Sequence, residues 1–224
     1  MTNPEMRLRI RYEQSSPALI FNRDSILRAL DVVIAGLALV FLLPLMAIIA
    51  ALVWMTDRGP IVFAHHRIGR GGRVFPCLKF RSMVTDSSAR LQELLERDPV
   101  ARAEWARDHK LKNDPRITKI GNFLRKSSFD ELPQLINVLR GEMSLVGPRP
   151  IVDAEIPRYG RYFAHYCAVR PGITGLWQVS GRNDVNYRRR VAFDVIYGRN
   201  RSVRTNMRII AATVPAVAMS RGSY

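Results

Sequence analysis

The chain has 224 residues, is 47% hydrophobic and carries a formal net charge of +16. That is enough apolar material for one packed domain with or without a membrane element, and a balance this basic calls for an anionic partner: nucleic acid, acidic lipid or a phosphorylated substrate. Two cysteines ninety residues apart, Cys77 and Cys167, exclude a disulfide framework, and His65, His66, His109 and His165 lack the spacing of a zinc site.

From residue 32 to residue 56 no side chain is charged, and Asp31 and Asp57 bound the run. As a helix it is long enough to cross a hydrocarbon core of ~30 Å. It is too long for the apolar region of a signal peptide, and no small-residue cleavage motif follows it. Pro44 lies near its middle, where it frees the carbonyl of Val40, so a bend is expected. Basic residues flank both ends: Arg7, Arg9, Arg11, Arg23 and Arg28 before, Arg58, Arg67, Arg70 and Arg73 after. Positive flanks favour the cytoplasm. Both can obey that rule only if the helix enters, turns at Pro44 and returns. A kinked single span is the other reading of the same residues.

Two β-rich runs around Gly71-Gly72 predict a hairpin. On its second strand Lys79 and Arg81 share one face, and Leu78 and Phe80 the other. The two cations serve either a solvated face or an anion. Thr85 and Asp86 are positioned to cap a helix over 87–97, and a second polar helix is expected over 101–110. Turn chemistry follows around Asp114-Pro115. Ser127 to Pro133 should then open a helix with Leu132, Leu135, Ile136 and Leu139 as its stripe and Gly141 as its stop. Ser128 and Glu131 fit a capping box, and Pro133 fits the first turn.

Asp130 and Glu131 sit at this helix start, where the helix dipole favours ionised carboxylates. Acids there are commonly capping residues, yet an ionised Asp is also a nucleophile towards phosphorus and a hard ligand for Mg²⁺. Arg149 stands between Pro148 and Pro150, and Arg170 opens Arg-Pro-Gly-Ile-Thr-Gly, whose glycines allow backbone to approach a ligand. Guanidinium forks suit phosphate oxygens, and a phosphoryl-transfer site needs a nucleophile, a metal and such cations. Asp194 lies in an apolar run, as expected of a buried partner for an arginine. The apolar stretch 209–219 is too short to span; it lies in the interface or in the core.

KFRSM, LKNDPRITKIGNFLRKSSFDELPQLINVLRGEMSLVGPRP and RPGITGLWQVSGR occur in that order. They resemble the bacterial sugar transferases, the monotopic polyprenyl-phosphate phosphoglycosyl transferases, from about residue 25 onwards. The length resembles the minimal catalytic form, without the additional N-terminal spans of larger relatives. The resemblance implies an α+β fold, mostly helical, with a re-entrant N-terminal membrane helix hairpin, a small β-hairpin and amphipathic interfacial helices. Residues 1–58 would form the N-terminal segment and re-entrant helix broken at Pro44, and residues 59–224 the catalytic domain on the cytoplasmic face of the bacterial inner membrane. The residue matching Asp130 would attack a UDP-sugar, release UMP and hold a sugar-phosphoryl group. Undecaprenyl phosphate would then accept it, in the first membrane step of exopolysaccharide synthesis or a related pathway. Glu131 matches the second acid of the dyad. Mg²⁺ would lie at Asp130. Substrate binding would fall to Lys79, Arg81, Arg116, Arg149, Pro150, Arg170, Gly172, Gln178 and Asp194. UDP-sugar, undecaprenyl phosphate and membrane lipid are the expected partners, a homodimer is allowed, and nucleic acid is not expected. The form CLKFRSM is similar to the subgroup handling galactose or glucose. Two departures stand out: Leu43 where many relatives have Ser before the proline, and Asn206 where relatives often carry an acid.

The competing readings are a membrane-tethered polyanion-binding protein and an inactive scaffold. The first lacks the aromatic-basic interleaving that tracks bases. The second rests on Asn206 alone.

Overall fold

A computed structural model describes residues 17–108, 111, 113–181 and 185–218. The flanking Arg7, Arg9 and Arg11, the expected last turn of the second polar helix (109–110), Met219 and Arg221 lie outside the described residues.

Helix α1 (Pro17–Thr56) continues through Pro44 and contains a stretch, Asp24–Thr56, long and apolar enough to cross a membrane. It has two apolar faces. One turns inward with Leu27, Ala35, Ile49 and Val53 buried at helical spacing; the other leaves Val33, Leu37, Val40, Phe41, Ile48 and Met55 exposed, Phe41 at 82%. Leu43 stands on this outer side at 60% exposure.

Strands β1 (Val62–Ile68) and β2 (Val74–Phe80) form the expected antiparallel hairpin, with Phe63 opposite Lys79 and His65 opposite Cys77. Gly71 and Gly72, both at positive φ, make the turn. Helix α2 (Ser87–Arg97) has the expected bounds. Asp86 does not cap it; its carboxylate takes Arg90, while Thr85 turns to Asp57 through its N–H at 2.6 Å. Helix α3 (Pro99–Asp108) starts earlier than expected because Asp98 accepts from the N–H groups of Val100 and Ala101.

Helix α4 (Lys119–Ser127) was not expected from the sequence. Thr118 caps it, and Gly121 lies against Ser82, whose carbonyl oxygen would be 1.9 Å from an added Cβ. A single 3-10 turn, Phe129–Glu131, leads through Pro133 to α5 (Gln134–Arg140), which Gly141 ends in the left-handed conformation as expected. The capping box does not form. Ser128 is itself left-handed and makes no capping bond, and the Glu131 carboxylate goes to Lys79. A half-buried ion pair at 2.6 Å takes the carboxylate in place of the reach back to a backbone N–H.

Strand β3 (Ser144–Val146) pairs in parallel with β4 (Gly172–Thr174). Between them lie α6 (Ile156–Tyr159) and α7 (Phe163–Cys167), and after them α8 (Leu176–Val179), α9 (Tyr187–Asn200) and α10 (Val203–Ala218). The glycines around this pair serve backbone against backbone. An added Cβ at Gly172 would lie 2.0 Å from the Gly147 nitrogen, and at Gly147 2.4 Å from the Arg170 carbonyl. The molecule is thus mostly helical with a small antiparallel hairpin. On α10, Ile209 is buried and Val214 is 69% exposed.

The inner face of α1 shares two cores with the rest of the chain. Ala35 packs with Phe75, Cys77, Leu135, Val138 and Met143; Ile49 and Val53 pack with Phe80 and Leu124. Arginines fix its two ends. Arg28 donates to the carbonyls of Val138 and Leu139 at 2.6 and 3.0 Å, capping α5. Arg81 donates to the carbonyls of Asp57 and Val53, capping α1 itself.

Arg28→Ala should therefore cost about 1.5–3 kcal/mol through two lost charge-assisted bonds. Arg90→Ala, which breaks an exposed i,i+4 pair, should cost under about 0.5 kcal/mol. Thermal unfolding of the detergent-purified proteins measures both, and equal losses would show that the Arg28 caps carry no special weight.

Candidate active site

The 3-10 turn delivers Asp130 and Glu131 to the wall of a cavity of about 980 Å³. Strand β2 brings Lys79 to the same wall, with Nζ 2.6 Å from Glu131 Oε1 and 3.6 Å from Asp130 Oδ2. Arg67 of β1 and Arg149 of the loop after β3 line it too, with His65, Arg81 and Arg125. Arg67 is anchored by the Pro150 carbonyl at 3.2 Å and lies 3.9 Å from Glu155. Trp177, Phe129, Leu132 and Ile173 supply apolar lining, and Ser82, Ser87, Ser88, Ser127 and Ser128 supply hydroxyls.

The two carboxyls differ although they are adjacent. Burial pushes the Asp130 carboxyl above its ordinary value; Lys79 pulls against this and the neighbouring Glu131 adds to it. Burial is the largest single influence on Glu131 and opposes its ionisation, but Lys79, Arg149 and Arg67 together outweigh it, so Glu131 is held below its ordinary value. The sequence expectation that a helix start favours both ionised forms thus fails for Asp130, because it is buried behind a turn whose nearest cation is committed to Glu131. Such a pair offers one fixed anion and one carboxylate of raised basicity beside three cations. It suits attack on an electrophile that carries negative charge.

The structure brings Lys79, Arg81, Asp130, Glu131, Arg149 and Gln178 to this one cavity. Arg81 spends one nitrogen on the end of α1, while its Nη1 is buried without a hydrogen bond. Gln178 donates to the Ile173 carbonyl at 3.2 Å. Pro150 is buried, and its carbonyl holds Arg67. Gly172 contributes a strand contact. Pro150 and Gly172 lie outside the cavity lining, and so do Arg116, Arg170 and Asp194. Arg116 pairs with Asp114 at 2.7 Å and lies over the Trp105 ring. Arg170 donates to the Gly141 carbonyl at 2.9 Å, at the far end of α5. Asp194 is buried on α9 and accepts from the Tyr159 hydroxyl at 2.6 Å, so its close partner is a phenol rather than the arginine expected. Asn206 is buried beside Tyr197 in a small polar pocket with Arg28, Asp31 and Arg170.

Sequence reasoning passed over Arg67, Arg125, His65 and Trp177. Arg67 had a readable signal: it shares an alternation with Phe63 and His65 on the first hairpin strand, opposite the strand of Lys79. Arg125 had none, since its helix was unrecognised. Among the described residues no three His, Cys, Asp or Glu side chains gather to hold a metal ion. The hard oxygens at the cavity are those of Asp130 and Glu131, a donor set that suits Mg²⁺ completed by substrate phosphate and water.

Comparison with known proteins gives a consistent result. The family model described as bacterial sugar transferase matches residues 22–220. The exopolysaccharide production protein ExoY of Sinorhizobium fredii is 51% identical over 197 residues, covering 88% of this chain and 87% of the relative. The UDP-galactose-lipid carrier transferase of Erwinia amylovora is 53% identical, and the undecaprenyl-phosphate galactose phosphotransferase of Salmonella typhimurium is 52% identical. Each covers 88% of this chain, and the chain spans 41% of the length of either one.

Asp194 gives a pH test of the packing around the site. Burial pushes its carboxyl up to about 7, from 3.8 in an open chain. Its neutral form is the one the fold accommodates, so the penalty is absent below about pH 4 and complete above about pH 7. Stability from this group is therefore lost as pH rises through that window. Asp194→Asn, which can still accept from Tyr159, should match the wild type in Tm at about pH 4 and exceed it by a margin that widens up to about pH 7. Parallel pH profiles for the two proteins would refute the assignment.

Proposed function

The chain belongs to the bacterial sugar transferase family, and we propose that it transfers a sugar 1-phosphate from a UDP-sugar to undecaprenyl phosphate, releasing UMP. An Asp130 oxygen forms a bond to the phosphorus next to the sugar as the bond from that phosphorus to the UMP oxygen breaks. A lipid phosphate oxygen then attacks the same phosphorus, and the aspartyl–phosphorus bond breaks, restoring the carboxylate. The observation that carries this reading is a buried carboxylate, Asp130, on the wall of a cavity it shares with Lys79, Arg67 and Arg149. Lys79, held by Glu131 at 2.6 Å, places its ammonium beside the transferring group, and the two arginines neutralise phosphate oxygens. Mg²⁺ would be held by Asp130, with Glu131 close by, and would neutralise phosphate charge when bound. Two relatives with galactose in their names make UDP-galactose the first donor to test, and the ExoY name supports a role in exopolysaccharide synthesis.

The same reading puts the protein on the cytoplasmic face of the bacterial inner membrane, with α1 re-entrant and the exposed apolar side of α10 in the interface. Support comes from the tethers of α1. Arg28 before its apolar run and Asp57 after it both bind the one body that carries the site, while its outer face stays exposed and apolar. A helix fixed at both ends to one body keeps both ends on one side of the bilayer, and the basic flanks favour the cytoplasm.

Detergent-purified protein with Mg²⁺ and undecaprenyl phosphate should release UMP from UDP-galactose or UDP-glucose. Asp130→Asn should abolish release, Arg149→Lys should lower it roughly ten- to a hundredfold by loss of the bidentate fork, and EDTA should stop it until Mg²⁺ is restored. A wild-type rate from Asp130→Asn would refute the nucleophile. For topology, Ile26→Cys and Arg58→Cys should both react with a membrane-impermeant maleimide in inverted vesicles, above the background of Cys77 and Cys167. Labelling of only one of them would establish a single span.

A further inference from the structure

Ser128 is the one residue other than glycine at positive φ among the described residues, with φ 60° and ψ 16°. At the five other positive-φ positions the chain uses glycine: Gly71, Gly72, Gly141, Gly160 and Gly181. The left-handed conformation here has a clear backbone purpose. It stops α4, where the Ser128 N–H donates to the Arg125 carbonyl at 3.3 Å, and it starts the turn that carries Asp130, where the Ser128 carbonyl accepts from the Glu131 N–H at 3.2 Å. Glycine would serve that purpose at lower conformational cost. A serine could keep the position by bonding locally, yet its side chain makes no capping bond at either helix that it joins. Ser128 is among the residues that line the cavity, two residues from Asp130, and Ser82 and Arg125 line the same cavity. Strain of this kind beside reacting groups is typical of a side chain held for function.

We infer that the Ser128 hydroxyl donates a hydrogen bond to a non-bridging oxygen of the phosphoryl group as it moves onto and off Asp130. This rests on the reaction proposed above. The serine forms no covalent bond and keeps its proton; in the first step the electron pair of the phosphorus–UMP bond leaves with UMP, and in the second the electron pair of the phosphorus–Asp130 bond goes to the Asp130 carboxylate as the lipid phosphate oxygen bonds to phosphorus. The donor adds to Lys79 and the arginines a short, neutral, directional contact that can tighten as charge builds on those oxygens.

Two substitutions separate the hydroxyl from the backbone. Ser128→Gly relieves the left-handed strain and removes the hydroxyl; Ser128→Ala keeps the strain and removes the hydroxyl. UMP release from UDP-galactose, with UDP-glucose in parallel, and thermal unfolding are measured on both in the full-length detergent-purified protein. The inference expects kcat to fall by about 10- to 100-fold in each, with KM little changed, because the contact is made chiefly in the transition state. It expects the Tm of Ser128→Gly to equal or exceed wild type, so that its lost activity cannot be ascribed to unfolding. Wild-type kcat in either variant would overturn the inference and leave Ser128 a backbone residue, with the reaction itself still standing. Absence of UMP release from the wild-type protein with every UDP-sugar tried would overturn the reaction and this inference together.

Discussion

The last carbonyls of a helix need donors, and at the C-terminal ends of α1 and α5 arginines supply them. Arg28 and Arg170 converge on the C-terminal end of α5, at the carbonyls of Val138, Leu139 and Gly141. Arg81 does the same for α1. Each cap neutralises the negative end of a helix and joins two distant parts of the chain. Because Arg28 lies on α1 and Arg81 follows β2, these bonds fasten the long apolar helix along the body that carries the site. The N-terminal end of α5 follows the Asp130–Glu131 turn, so the long apolar helix and the candidate nucleophile are fixed to opposite ends of one short rod.

Inside the cavity the deciding effect is the unequal sharing of one lysine between two adjacent acids. Lys79 lies a full ångström closer to Glu131 than to Asp130. Glu131 becomes the permanent counter-charge, and Asp130 keeps the raised proton affinity that burial gives it. Two adjacent carboxylates thereby acquire different roles. The remaining cations answer to other partners as well: Arg67 to Pro150 and Glu155, Arg125 to Ser82. Those bonds hold them oriented on the cavity wall.

Much of the fold was legible because it follows from local rules. Residues 87–97 form the expected helix, Gly71-Gly72 turn the hairpin, and Gly141 ends α5. The uncharged run announced a membrane-compatible helix, and its two apolar faces became distinguishable only once one of them was packed. Helix α4 escaped because it is short and begins straight after a turn signal, at Thr118. The capping box at Ser128 failed because a local pattern cannot register Lys79, which stands about fifty residues away in sequence and 2.6 Å away in space.

For the candidate site, the sequence by itself determined the residue types that chemistry needs, with Asp130, Glu131, Lys79 and Arg149 on backbone stiffened by proline or strand. Only the tertiary structure decided which cations share a cavity. Arg149 and the unforeseen Arg67 line the cavity of Asp130 and act on Glu131, while Arg116 and Arg170 are occupied by Asp114 and the end of α5. Likewise the glycines of Arg-Pro-Gly-Ile-Thr-Gly proved to admit a neighbouring strand, with Gly172 against Gly147. The reason is one of range. Helix periods, turns and caps are fixed by interactions within a few residues, whereas the partner of a buried charge is set by packing between segments that the local pattern cannot relate.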